Sequence, residues 1–423
     1  ALDAATGKRR WHFQTVRHDL WDRDLPTAPT LVTVRRDGKE IPALAQVAKS
    51  GFIYVLDRRT GASLFPLEER PVFASDVPGE VAAKTQVFPL APAPFARQHL
   101  TADLLTRRTP EAQRAVAEEF KKYRSRGLYD PPSLQGTIIW PGTDGGAEWG
   151  GAAYDPQTGL VYVNSNEMAW ILRLKPRPPA AASTSGRGVY LNNCASCHRE
   201  DLKGSPPEFP SLVNVAARLP RLEIAAQIYS GSGRMPGFRQ LSEAEFAALT
   251  EYLVTGKDAS IGTPAVPSSL GSGAGDTFIF DGYNRFLDPD GYPAVAPPWG
   301  TLSAVDISTG KYAWQIPFGE YPELAAKGVK NTGSENYGGA VVTAGGLLFI
   351  GATVYDNKFH AFDKRTGRLL WETELPAAGL ATPATYQVGS RQFVVISAGG
   401  GKNPKRPSGG SIIAFALSQG NVQ

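Results

Sequence analysis

The sequence predicts an all-β propeller interrupted by one small all-α domain, and three observations carry that expectation. A pattern Asp-x3-Gly-x3-Trp recurs at Asp3/Gly7/Trp11, Asp306/Gly310/Trp314 and Asp363/Gly367/Trp371. The only two cysteines fall in one compact motif, Cys194-Ala195-Ser196-Cys197-His198, set in a helical stretch. Linker composition flanks that stretch: Lys175-Pro176-Arg177-Pro178-Pro179-Ala180-Ala181-Ala182 before it, and Gly262-Thr263-Pro264-Ala265-Val266-Pro267 with a Gly/Ser tract to Gly275 after it.

Each repeat copy reads as a hairpin. A strand ends in Asp, a tight turn carries Thr-Gly (Thr6-Gly7, Thr309-Gly310, Thr366-Gly367), and the next strand holds a large side chain for burial. Degenerate copies occur at Asp57/Gly61, with Phe65 in place of Trp, and at Asp155/Gly159, with Val163. Short β-branched runs fill the gaps: Gly51–Leu56, Leu160–Asn164, Leu347–Gly351, Phe393–Ser397 and Ser411–Phe415. Four-stranded units with a repeated aromatic argue for a propeller. A β-sandwich with coincidental tryptophans is the plainer alternative. The spacing, Asp3 to Asp57 and Asp306 to Asp363, leaves room for about five or six blades. Phe65–Gln135 is then a long excursion with one helix near Pro110–Tyr123. The expected division is residues 1–179 for the first part of the propeller, 180–257 for the inserted domain and 258–423 for the C-terminal part.

With 42% hydrophobic and 20% charged residues over 423 positions, the composition is that of an ordinary globular chain. A net charge of +4 is too small to argue for nucleic acid. The one dense basic patch, Lys121-Lys122-Tyr123-Arg124-Ser125-Arg126, ends a predicted helix, where solvated positive charge is favourable. No apolar run approaches the length of a membrane span. The chain starts at Ala1 in what reads as the middle of a repeat, as though cut from a longer protein.

Two thiols spaced to meet two vinyl groups, with a histidine directly after them, form a c-type haem attachment motif. Cys194 and Cys197 are the covalent anchors and His198 an iron ligand. A small zinc site or a chance match is the competing reading, but no further Cys or nearby His completes four zinc ligands. The second axial ligand is expected at Met235, one of two methionines, in the glycine-rich loop Ser230–Phe238. Helices are expected at Gly188–Asn193, at Leu222–Tyr229, and from the capping box Ser242-Glu243-Ala244-Glu245 to about Val254. The insert is thus a small cytochrome c domain.

The tryptophan repeats are similar to the docking motifs of the eight-bladed quinoprotein dehydrogenases. The stretches Trp11–Val16 through Asp19–Pro26, Val55–Gly61 and Ala381–Tyr386 look like the membrane-bound glucose dehydrogenase branch. The resemblance covers nearly all of the chain outside the insert. It departs from that branch in lacking the N-terminal blades and a membrane anchor, and in carrying a cytochrome c where the branch usually has a loop. The last feature resembles the quinohaemoproteins.

That resemblance implies pyrroloquinoline quinone (PQQ), haem c and a Ca2+ or Mg2+ ion whose ligands lie mostly in the missing blades. It implies a periplasmic, exported enzyme, its signal or anchor outside this chain, that oxidises a sugar (an aldose such as glucose) or an alcohol. A carboxylate base takes the hydroxyl proton while hydride goes to the quinone, and the electrons leave through the haem to a soluble cytochrome or a membrane quinone or oxidase. Asp22 falls at the family's general base, Lys49 at the cation on the quinone oxygens and Asn164 at a cofactor-contacting amide. Gly338, Gly339 and Trp149 fall near the pocket, and His12 and His18 near Asp22. Plainer readings stand beside these: a turn or capping role for Asp22, a solvated strand end for Lys49, ordinary blade architecture for the glycine pair and core histidines. The alternative function is a non-catalytic propeller scaffold carrying an electron-relay cytochrome.

Overall fold

The computed structural model describes residues 1–176, 185–206, 209–232, 235–261, 278–403 and 406–417. Most of both linkers, residues 177–184 and 262–277, and Gly233-Arg234 in the Met235 loop lie outside the described residues. The chain divides into two compact units. The first comprises Ala1–Pro132, Thr137–Ile171 and Arg285–Gln423; the second comprises Ser133–Gly136 and Leu172–Asn284.

The first unit is a series of antiparallel sheets. One has strands Thr30–Arg36, Lys39–Val47 and Ile53–Asp57. The next has four strands in the order Lys311–Pro317, Gly300–Asp306, Leu160–Asn166, Ala152–Asp155. A second four-stranded sheet runs Ala340–Val342, Leu347–Ile350, Lys358–Asp363, Leu369–Glu374. The last has Ala384–Val388, Arg391–Ala398 and Ser411–Phe415.

The repeat motif makes both the turn and the joint between sheets. At Asp306 the carboxylate accepts from the Ser308 N–H (2.9 Å) and the Thr309 hydroxyl (2.8 Å), and Gly310 closes the turn with φ +74°. Asp363 repeats this with Thr366 and Gly367. At three copies the turn glycine receives the large side chain of an earlier repeat; at Gly159 nothing lies within 4 Å. A Cβ on Gly61 would come within 2.6 Å of the Trp11 ring, one on Gly310 within 2.9 Å of Phe65, and one on Gly367 within 2.8 Å of Trp314. The indole N–H of Trp11 donates to Arg58 O (3.0 Å) and that of Trp314 to Lys364 O (3.2 Å). Trp11, Phe65 and Trp314 therefore dock on a neighbouring sheet's turn, whereas Trp371 packs against Phe359 and Phe415.

Between sheets the strands are buried on both faces. Along Leu160–Asn166, Val161 and Val163 pack with Val32, Val34 and Val55, while Leu160 and Tyr162 pack with Leu302, Leu348 and Ile350. Alternation along one strand thus serves two neighbours, each fully buried aliphatic contributing about 1.5–3 kcal/mol. A third apolar layer, Phe359, Leu375, Val394, Ile396 and Ala398, joins the last two sheets.

Leu160–Asn166 pairs with Gly300–Asp306, Asn166 opposite Gly300 and Leu160 opposite Asp306. The inserted sequence therefore interrupts a single blade, between its second and third strands, rather than falling between blades. Antiparallel strands tolerate this because their ends face each other at one edge of the sheet.

In the excursion the helix spans Pro110–Phe120, with Thr109 as N-cap accepting from Ala112 N, and Pro110 opening the first turn. The basic patch after it is spent on ion pairs: Lys121 with Glu118, Lys122 with Glu119, Arg124 with Asp76 and Arg126 with Asp130.

The second unit is helical: Gly186–Asn193, Ala195–His198, Arg221–Ser230 and Glu243–Thr255. Its core gathers Val189, Tyr190, Cys194, Val215, Ile224, Ile228, Leu249 and Leu253. Both bonds of the Ser242/Glu245 capping box are made. The unit is closed by its own ribbon, in which Leu174–Pro176 pairs antiparallel with Phe278–Phe280. Asp281 at the ribbon's base takes ion pairs from Arg173 and Lys175.

Candidate active site and haem-attachment site

The Asp19–Pro26 segment sorts its side chains by sign and burial. Asp19 performs the turn's capping work, one carboxylate oxygen accepting from Trp21 N (2.9 Å) and the other from Arg23 N (2.6 Å). Trp21 and Arg23 point inward and are fully buried. Asp22 and Asp24 point out, and both reach the Lys49 ammonium, at 2.8 and 2.7 Å. Asp22 has φ +61°, a strained conformation for a residue with a Cβ. Residues held in that region concentrate at functional sites.

The pair is electrostatically adjusted from both sides. Partial burial pushes the Asp22 carboxyl above the usual carboxylate range, against the pull of Lys49 and with a further push from Asp24. Burial works against the charged Lys49, but the hydrogen bonds and charges of Asp22 and Asp24 prevail and hold its ammonium above the ordinary lysine range. With over half of the Asp22 side chain open to solvent (57%), the push on its carboxyl is modest.

The remaining expected residues are brought to the same place by one glycine-rich loop, Gly142–Gly151. Gly146 N donates to Lys49 O (2.8 Å), and a Cβ on Gly145, which has φ +80°, would sit 2.4 Å from Lys49 Cγ. At the loop's far end a Cβ on Gly150 would sit 2.1 Å from the Gly338 carbonyl carbon and the Gly339 nitrogen. Only glycine fits at either contact. Asn164 is buried, its amide nitrogen donating to Asn336 Oδ1 (2.6 Å) and Gly338 O (2.9 Å). That nitrogen holds the backbone of the glycine pair in place. Trp149 is 46% exposed and stacks on buried Tyr337, with centroids 5.2 Å apart and planes 22° apart. His18 is engaged by Glu80 (2.6 Å), and His12 lies exposed.

Three contributors were not legible as site residues. Arg23 donates through Nη1 to Gly142 O (3.1 Å), while its buried Nε and Nη2 have no hydrogen-bond partner; burial lowers its pKa to about 10. Lys402 places its ammonium 3.7 Å from the Tyr337 ring centroid and 5.4 Å from that of Trp149. Asn336 donates to Ser165 O and Ser334 O and accepts from Asn164. For Lys402 a signal was present: a lysine after three glycines at a strand end, where backbone approaches closely.

The haem motif is local. Cys194 ends one helix and opens the next turn, so Cys194, Cys197 and His198 share one helical face at the edge of the core. His198 Nδ1 is hydrogen-bonded to Pro210 O (3.0 Å), which fixes the ring and leaves Nε2 as the nitrogen that could ligate an iron. Burial lowers the pKa of His198, keeping the imidazole neutral as ligation requires. Burial pushes the Cys194 thiol up to about 12 and Cys197 upward, the opposite of a reactive redox dithiol. Among the described residues no group of three or more His, Cys, Asp or Glu converges to hold a metal ion. Met235 lies in a tight turn, exchanging two 3.0 Å backbone bonds with Ser232, at the end of the helix that carries Ile224 and Ile228.

Antiparallel sheets joined by aromatics docked on neighbouring turns, with a helical unit carrying Cys194-x-x-Cys197-His198, define a class: a quinoprotein-type β-propeller with an inserted cytochrome c domain. Residues 1–201 and 234–394 match the glucose/ethanol/alcohol dehydrogenase β-propeller domain, and the chain belongs to that family of PQQ dehydrogenases. Residues 181–253 match the family model of cytochrome c oxidase, cbb3-type, subunit III. The chain is 32% identical over 423 residues to the quinoprotein glucose dehydrogenase of Escherichia coli, covering 99% of this chain and 44% of that protein. It is also 32% identical to a probable quinate dehydrogenase (quinone) of Xanthomonas campestris pv. juglandis, with the same coverage of each. It therefore spans about half the length of the curated relatives it matches. Among solved structures, a europium-containing methanol dehydrogenase is alike with a TM-score of 0.48 at 20% identity, over 94% of this chain and 44% of that one.

Proposed function

We propose that this chain works as part of a periplasmic quinohaemoprotein dehydrogenase that oxidises a sugar, such as an aldose, or an alcohol at a CH–OH group. The observation that carries the reading is Asp22. It is freed from the turn's capping role by Asp19, held at φ +61° and set 2.8 Å from Lys49. A scaffold has no use for a strained carboxylate paired with a half-buried cation.

The residues present fit an anionic, planar cofactor. Two guanidinium nitrogens of Arg23 are buried without partners, and Lys49 and Lys402 add positive charge. The Trp149–Tyr337 stack offers a flat face, and glycines at 145, 150, 338 and 339 leave room for close approach. When bound, PQQ supplies the quinone that accepts a hydride, and haem c the one-electron outlet. Asp22 takes the substrate's hydroxyl proton, and its raised carboxyl pKa makes it a better base than an exposed aspartate. Lys49 provides positive charge beside that base, available to polarise a quinone oxygen. Asn164 and Asn336 hold the glycine pair that borders the platform. In the helical unit, Cys194 and Cys197 anchor the haem, and His198 and Met235 serve as its axial ligands. Among the described residues no three His, Cys, Asp or Glu side chains converge for a Ca2+ or Mg2+ ion.

Glucose and quinate dehydrogenases are both among the relatives, and both substrate types present a secondary or anomeric hydroxyl to such a base. The test is to load full-length protein with PQQ and calcium, add glucose, quinate, glycerol or simple alcohols, and follow the haem absorbance. Reduction of the haem dependent on one of these supports the reading; none with any of them overturns it in favour of the scaffold.

A further inference from the structure

Oxidation of a CH–OH group to a carbonyl releases two electrons and two protons. The electrons have a one-electron outlet in haem c, which carries no proton. Both protons must therefore leave the site by another route, and Asp22 receives only the one on the substrate hydroxyl.

A second group of buried ionisable side chains adjoins the same glycine loop and takes no part in that step. Asp144 directly precedes Gly145, the residue packed against Lys49. The Tyr337 hydroxyl, on the ring beneath Trp149, donates to Asp144 Oδ2 at 2.8 Å and lies 3.3 Å from Glu335 Oε1. Glu335, 2% exposed, receives the Tyr355 hydroxyl (2.9 Å) and Arg285 Nη1 (2.8 Å) on its other oxygen. Arg285 Nη2 stands 3.8 Å from Asp144 Oδ2. Tyr355 donates its hydroxyl inward to Glu335, stacks on buried Tyr321 at 4.2 Å and is itself partly exposed, so the chain of groups runs from the loop beside Lys49 to a side chain that reaches some solvent.

The proton count in this chain is the telling feature. A phenol has one proton, yet the Tyr337 oxygen is within bonding distance of two carboxylates. The hydroxyl can donate to either carboxylate by turning about its C–O bond, at 2.8 Å to Asp144 or 3.3 Å to Glu335. Rotation of the Tyr337 hydroxyl redirects its one proton from Asp144 to Glu335, the reorientation that transfer along a hydrogen-bonded chain requires. The charges facing the group are Asp144 and Glu335 against Arg285 and Lys402, with Glu148 nearby. Burial keeps the phenols of Tyr337, Tyr355 and Tyr321 neutral, as carriers that are never lost to ionisation.

We propose that Asp144, Tyr337, Glu335 and Tyr355 form a proton relay that conducts to solvent the protons left behind when electrons depart singly. The proposal rests on the dehydrogenase reading. Each transfer breaks one O–H bond and forms another, with no net change in the relay after a proton exits at Tyr355.

Glu335→Gln keeps the shape and still accepts from Tyr355 and Arg285, but cannot take up and release a proton. Tyr337→Phe keeps the stack with Trp149 and removes a carrier. In PQQ- and haem-loaded full-length protein, both should lower kcat ~10-fold with KM unchanged and raise the solvent deuterium isotope effect on kcat. Added formate or imidazole should restore part of the rate in Glu335→Gln. Wild-type kcat and isotope effect in both variants would overturn the relay. Infrared spectroscopy gives a readout independent of turnover: a protonated-carboxyl band that titrates with pH and is lost in Glu335→Gln. If the wild type turns over no substrate, the enzyme reading is what fails. The infrared band then decides the relay alone, its presence supporting and its absence overturning a proton-carrying Glu335.

Discussion

The two candidate sites are built in opposite ways. The haem-attachment motif is five consecutive residues, Cys194–His198, on one helical turn, and the bond that fixes its histidine ring comes from Pro210, twelve residues on. The Asp22–Lys49 site draws on Asp22, Lys49, the Gly142–Gly151 loop, Asn164, the Tyr337–Gly339 stretch and Lys402, parts of every sheet in the series. A local site depends on its own letters. A distributed one depends on the packing that brings its parts together, so it is exposed to substitutions far from the chemistry.

Substitutions can break that contrast in order of size. Cys194→Ala or Cys197→Ala should abolish attachment through that thioether, read as altered or lost haem stain on a denaturing gel, with the propeller's unfolding temperature unchanged. A propeller that unfolds with the variant would show that the local site is not local. Asp22→Asn should lower kcat by roughly 10²–10⁴-fold with haem content intact, since it removes the base and keeps the shape. Turnover at the wild-type rate would remove Asp22 from its role.

Gly150→Ala tests distribution itself. Its methyl meets backbone at 2.1 Å, so we expect a loss of about 1–3 kcal/mol in thermal or denaturant unfolding and displaced Gly338 and Trp149. Gly345→Ala, with nothing within 4 Å, is the control and should be nearly neutral. Met235→Ala should lower the haem midpoint potential, because a thioether ligand raises it; an unchanged potential would exclude Met235 as ligand. The smallest effect concerns pH. A base must be ionised to work, and burial raises Asp22, so kcat should fall with decreasing pH on a limb above the ordinary aspartate value of about 3.9. Asp24→Asn removes one upward push and should move that limb down.

What was legible in the sequence follows from the same contrast. The repeat was readable because each copy carries its turn chemistry within nine residues, as at Asp306, Thr309, Gly310 and Trp314. The haem motif and the capping box at Ser242 were readable for the same reason. Asp22 and Lys49 were singled out by resemblance, and their 2.8 Å contact could not be inferred from a separation of 27 positions. Arg23 was passed over because an arginine in a run of aspartates reads as surface charge, whereas Trp21 and Arg23 alternate inward. Asp144 and Glu335 gave no pattern, since their meaning lies in contacts that cross between sheets. The interruption inside a blade was missed because linkers mark where an insert begins, not which strands it separates.

The two-stranded ribbon at the root of the helical unit bears on how the split blade can form. Zipping Leu160–Asn166 onto Gly300–Asp306 across an unstructured span of this length costs about 3 kcal/mol more closure entropy than across a four-residue hairpin. Once Leu174–Pro176 has paired with Phe278–Phe280, the span's two ends emerge side by side, and most of that cost is gone. The helical unit therefore acts toward the blade as a long word folded into a short parenthesis. Its own folding, with haem in place, should precede and speed closure of the blade, giving an order of assembly that the chain's connectivity imposes.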